Sequence, residues 1–103
     1  PAATCTRPEA PKIDAATASA SMEALAAAKQ QTQTFITASD TYQACVLGEA
    51  KAKLEEAKAK KVDFDQGIAK RAQSQVSANQ ADKEKVGAAF NAAVRAYKAA
   101  HPS

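Results

Sequence analysis

The chain has 103 residues and a net charge of +3, with fourteen Lys and Arg interspersed among eleven Asp and Glu. This length makes one domain with a small core, and the mixed charge excludes the one-sided basic face of a nucleic-acid binder. The 46% hydrophobic content is mostly alanine, 28 residues, with three Phe, two Tyr, one Met and no Trp. That composition excludes a sheet built on β-branched and aromatic runs and favours long, closely packed helices.

No run approaches the ~18 apolar residues of a membrane span. The chain opens Pro1-Ala2-Ala3-Thr4-Cys5 without a Met, the kind of start that signal peptidase leaves, so a periplasmic or secreted location is expected. Two cysteines far apart, with no metal-ligand set around them, then predict one structural bridge, Cys5–Cys45.

Residues 1–16 hold Pro8 and Pro11, which forbid regular helix and bias their predecessors to extended shapes. Tied at Cys5, this segment is an extended N-terminal strap. Helix 1 is predicted over about 17–61. Thr17, Ser19 and Ser21 are each competent N-caps, and Glu23 suits the first turn. Gly48 is a lone glycine inside the helical pattern, tolerated at a cost of ~1 kcal/mol against Ala. Glu49→Lys53 and Glu56→Lys60 have the spacing of favourable i,i+4 ion pairs. The break falls at Val62-Asp63-Phe64-Asp65-Gln66, where Asp63 and Gln66 read as a capping box. Helix 2 is predicted over about 64–99, ended by His101-Pro102.

Apolar residues step by three and four along both helices. Helix 1 carries Met22, Leu25, Phe35, Ile36, Tyr42, Val46 and Leu54. Helix 2 carries Ile68, Val76, Val86, Phe90, Val94 and Tyr97. Polar Thr32, Ser39, Asn79 and Lys83 interrupt these stripes, and Asn79 is a candidate register-fixing group of the kind found in coiled coils. A turn near residue 62 sets Phe35 beside Phe90, Ser39 beside Val86, Val46 near Asn79, Leu54 near Ala72 and Ala57 near Ile68. The predicted fold is all-α: an antiparallel hairpin of two long helices plus the strap, in one domain over residues 1–103. From Thr17 to Cys45 is roughly 42 Å of helix at 1.5 Å per residue, and the strap spans at most ~41 Å. It must therefore run straight back along the helix, or the helix must start later, with Pro8, Pro11 and Ile13 in the groove between the helices.

The spacing Cys5-x2-Pro8-x2-Pro11-x-Ile13-Asp14, then Thr17-Ala18-Ser19, Met22, Tyr42-x-x-Cys45, Asn79 and Val86-x3-Phe90-Asn91 resembles a group of small exported proteins of proteobacteria. They have a Pro-rich start, a paired Cys and a Phe-Asn in the last helix. The resemblance spans most of the chain and implies export and the disulfide; it implies no activity. Those proteins often read Pro-x-x-Pro-Asp-Gly at the first motif. Pro11-Lys12-Ile13-Asp14-Ala15 lacks the second Pro and the Gly, so the turn of the tail differs here.

Catalytic residues are not expected. His101 is the only base near neutral pH, three residues from the end, and no Gly-rich phosphate loop exists. The cysteines lack the Cys-x-x-Cys spacing of a redox dithiol, and no metal-ligand spacing is visible. Met22 and His101 fall at one end of the hairpin, a pair able to ligate haem. The alanine-rich seam offers no wide pocket and Cys-x-x-Cys-His is missing, so no cofactor is expected. The function expected is that of a non-enzymatic exported structural or interaction protein. It would be an accessory subunit docking on a larger envelope assembly, or a self-associating chain, with Ala-rich faces (Ala20, Ala24, Ala27, Ala28, Ala38; Ala88, Ala89, Ala92, Ala96) for close approach. The alternative is a periplasmic binder of small ligands or lipid surfaces, since amphipathic Ala/Lys helices can lie on membranes.

Overall fold

The computed structural model describes residues 5–102. Helix α1 is a single turn, Ala15–Ala18; α2 runs Met22–Lys60 and α3 Gln66–Ala100. The two long helices pack side by side as an antiparallel hairpin, in a rod of 66 × 22 × 18 Å. Among the described residues there is no strand, and no helix is long and apolar enough to cross a membrane.

The helix ends follow from local chemistry. Ser21 is extended and its side chain accepts from the Ala24 amide at 3.0 Å, so α2 begins at Met22, five residues later than Thr17. Thr17 is occupied elsewhere: Asp14 caps α1, accepting from the Ala16 amide and from Thr17 Oγ1. The late start relieves the reach constraint. From Met22 to Cys45 is ~35 Å of helix at 1.5 Å per residue, short enough for the strap to contain a helical turn. At the far end of α2 the Lys61 amide donates to the Lys58 carbonyl and the Val62 amide to the Ala57 carbonyl. This is the Schellman arrangement, with Lys61 left-handed at φ 57°. The capping box expected at Asp63 does not form. Asp65, one residue before the helix, accepts from the Gly67 amide at 2.8 Å, and Gln66 becomes the first residue of α3 rather than the reciprocal acceptor.

The return segment also resets the register. Residues outside a helix advance up to ~3.3 Å each against 1.5 Å inside one. Val62–Asp65 thus carries the start of α3 back along α2, and Ile68 shares a hollow with Val46, Ala50 and Lys53 as well as one with Ala57. Ser39 meets Asn79 through a hydrogen bond, and Val46 clusters with Tyr42, Ala72 and Val76. The expected proximity of Ala57 and Ile68 holds, and Ser39 gains Asn79 as a partner that the expected pairing did not include.

Buried residues recur in sevens. Ala28, Phe35 and Tyr42 form one row of α2, and Thr32, Ser39 and Val46 the other. Ala72, Asn79, Val86 and Ala93 form the row on α3. This is the heptad seam of an antiparallel coiled coil. Of the two i,i+4 ion pairs expected, Glu56–Lys60 forms at 2.9 Å. The hydrogen bond from Lys60, then the charges of Lys60 and Lys53, hold the Glu56 carboxyl below its ordinary range. A depressed folded pKa contributes stability above the unfolded value that is lost as pH falls through the folded one, and full exposure keeps this effect small.

A non-glycine residue in the left-handed region costs about 1–2 kcal/mol, a cost that glycine removes from the folded state. Lys61→Gly is expected to raise the unfolding free energy by about 1 kcal/mol. Urea denaturation would show this as a higher midpoint at unchanged slope; an unmoved or lower midpoint would contradict the left-handed cap.

Candidate functional site

Three connected features stand out along the rod: a polar layer inside the seam, the strap clamped across it, and an open hollow beside Cys5.

The polar layer is centred on Asn79, which is 0% exposed, as is Ser39. Asn79 Nδ2 donates to Ser39 Oγ at 3.1 Å, and its Oδ1 accepts from Gln43 Nε2 at 2.9 Å. Gln43 also reaches Gln80. Buried Thr32 donates to the Ala28 carbonyl one turn back. One turn beyond the layer on α3, half-buried Lys83 puts Nζ 2.6 Å from Asp40 of α2. No buried side-chain polar atom among the described residues lacks a partner. Around this layer Phe35, Tyr42, Val46 and Val86 are buried, while Ile36, Phe90 and Val94 are half-buried. Asn91 is exposed.

The strap lies over the two helices. Cys5 is bonded to Cys45, with Cα atoms 5.7 Å apart, and packs on Tyr42, Val46 and Ala72. Arg7 Nε and Nη2 both donate to Asp82 Oδ2 on α3, at 3.0 and 2.7 Å. Pro8 and Pro11 border a hollow with Phe35 and Ala38 of α2. Ile13 and Ala15 pack with buried Ala18, Ala28 and Ala93. Part of the alanine face expected for a partner is thus taken by the chain itself, at Ala28, while Ala27 is exposed. Ala20, Ala38 and Ala88 stay exposed. Closing a 40-residue loop stabilises the fold by about 3–4 kcal/mol in the chain-entropy model.

Cys5 lies at the edge of the next stretch of the seam. An open hollow of about 330 Å³ there has Val46, Ala50, Ile68 and Ala72 among its lining, with Glu49, Lys53, Arg71 and Gln75 beside them. Glu49 does not take the expected partner Lys53. Its Oε1 lies 2.7 Å from Cys5 Sγ and 3.8 Å from Cys45 Sγ. A disulfide sulfur carries no proton to donate, so this is a close polar contact rather than a hydrogen bond.

At the other end of the rod, Met22 and His101 do come together. Tyr97 Oη is 3.8 Å from Met22 Sδ, and its ring stacks on His101 at 4.2 Å between centroids. His101 Nδ1 lies 3.0 Å from the Tyr97 carbonyl, and Met22 is 65% exposed. These contacts close the end of α3.

Sequence reasoning missed Gln43, Arg7, Asp82 and the turn of Glu49 toward the bridge. Gln43 lies one position past the Tyr42 stripe. Glu49 was legible only as Cys45 plus four, a position on the same helix face.

Asn79→Ala would leave Ser39 and Gln43 without their buried partner, a loss of about 2–3 kcal/mol for a desolvated polar network. Thermal unfolding of the bridged protein measures it, and a loss below ~0.5 kcal/mol, the size typical of surface changes, would remove Asn79 from the centre of the seam.

Compared with known proteins, the chain matches no family model, no curated protein and no solved structure.

Proposed function

We propose that this chain is a non-enzymatic interaction protein that works outside the cytoplasm, docking on a larger envelope assembly or on a second copy of itself. The observation that carries this reading is the apolar hollow in the seam beside Cys5. Val46, Ala50, Ile68 and Ala72 form an apolar floor there, flanked by Glu49, Lys53, Arg71 and Gln75, the core-and-rim pattern of a protein interface. Over the rest of the rod the strap occupies the equivalent position, packing Ile13 and Ala15 against both helices. The fold thus already uses a third element to finish its seam, and a thin bundle gains from one along its whole length. The Cys5–Cys45 bridge supports an oxidising compartment.

The lipid-surface alternative asks for a continuous apolar face. The exposed large apolar side chains Met22, Leu47 and Val62 are isolated and far apart along the rod, which favours the protein–protein reading.

Native mass spectrometry of material from its source is expected to find the chain in a complex heavier than one copy. Ile68→Glu, which charges the floor of the hollow, is expected to return it to a single chain with its helical signal intact. A bare monomer under all native conditions would overturn the proposal.

A further inference from the structure

We propose that Cys5, Cys45 and Glu49, once the bridge is reduced, form a three-ligand site for a thiophilic divalent cation of the Zn²⁺ or Cd²⁺ class, making bridge and metal alternative clamps on the strap. This rests on the bridge and its surroundings, which border the same hollow as the docking surface proposed above, but it does not require that reading, and its test uses the chain alone.

One ligand atom from each of the three residues lies within 4.8 Å of the other two. In a tetrahedral site with metal–sulfur bonds of ~2.3 Å and metal–oxygen bonds of ~2.1 Å, neighbouring ligands sit about 3.6–3.8 Å apart. The Glu49 oxygen is already 3.8 Å from Cys45 Sγ. The contact with Cys5 Sγ, now 2.7 Å, has to open by about 1 Å to match. The two sulfurs have to part by about 2 Å once the covalent bond is gone, which small side-chain rotations at both cysteines supply. Cα atoms 5.7 Å apart allow this without moving the backbone.

The scaffold survives the loss of the bridge. Cys45 and Glu49 are one turn apart on the uninterrupted helix α2, so two ligands share one face whatever the redox state. Cys5 belongs to the strap, which other contacts hold: Arg7 on Asp82, and Ile13 with Ala15 packed at Ala18, Ala28 and Ala93.

Glu49 supplies the second indication. It forgoes Lys53, the cation one turn away, and places an anionic oxygen against sulfurs that have no proton for it. In the bridged protein that contact gains nothing; a cation between carboxylate and thiolates would give the oxygen a partner. Lys53 and Arg71 line the same hollow and oppose a cation, but two thiolates and a carboxylate outweigh them by one charge. The hollow leaves a fourth coordination position for water, the open geometry of three-ligand zinc sites.

The chemistry balances with a dithiol reductant. It delivers two electrons and two protons to the bridge, leaves as a cyclic disulfide, and yields two protein thiols. Metal binding then releases one proton from each thiol to solvent.

The test is a Cd²⁺ titration of protein reduced by a phosphine, which becomes its oxide by taking oxygen from water. The ultraviolet thiolate-to-cadmium charge-transfer band reports binding. Expected are one Cd²⁺ per chain, no band in the bridged protein, and a higher melting temperature for the reduced chain with metal. Glu49→Gln is expected to weaken binding about tenfold, and Cys45→Ser at least a hundredfold, a scale set by losing a direct thiolate ligand where outer-shell partners alone cost 10–100-fold. Four results would each overturn the proposal: no band at one equivalent; a metal bridging two chains; a Glu49→Gln affinity equal to the parent's; or a reduced chain that loses its helical circular dichroism and does not regain it with Cd²⁺.

Discussion

The side-chain amide of Asn79 is the constraint on which the rest of the molecule depends. It is fully buried in the seam, where an amide left without partners costs far more than a hydrogen bond contributes on the surface. Only one alignment of α2 and α3 supplies Ser39 on one side and Gln43 on the other. An alanine seam by itself is a poor selector, because small side chains pack about equally well one turn up or down. The polar layer removes that degeneracy, as a buried Asn does in a coiled coil. Once it is set, Lys83 meets Asp40, and Tyr42 and Val46 close on Ala72. Ala28 then packs at Ala93.

The strap depends on that alignment in turn. Its anchors alternate between the two long helices: Cys5 on α2, Arg7 on α3, Pro8 and Pro11 on α2. A slip of one helix past the other would separate Cys45 from Asp82 along the groove and pull these anchors out of step. The strap therefore reports on register as well as adding stability.

Much of the architecture was legible in the sequence, and the failures have physical causes. Alanine content, the three-and-four stripes and the absence of breakers between Met22 and Lys60 led to the hairpin. The cysteines and prolines led to the strap and its bridge. The Ser39–Asn79 contact was not foreseen because the turn was treated as symmetrical, whereas Val62–Asp65 consumes axial distance at more than the helical rate. The cap of α3 was misplaced because Asp63 and Asp65 are both competent, and only the path of the return segment selects between them. At the candidate site, Asn79 was identifiable as a polar residue in an apolar stripe. The approach of Glu49 to Cys5 was not, since it brings together residues 44 positions apart through a strap whose path no local pattern encodes.

Nuclear Overhauser contacts of the Asn79 side-chain amide test the central claim most directly. The account predicts cross-peaks from its Nδ2 protons to Ser39 Hβ and from the Gln43 side-chain amide to Asn79. A solvent-exchanging Asn79 amide without long-range contacts would contradict the polar layer as the element that fixes this fold.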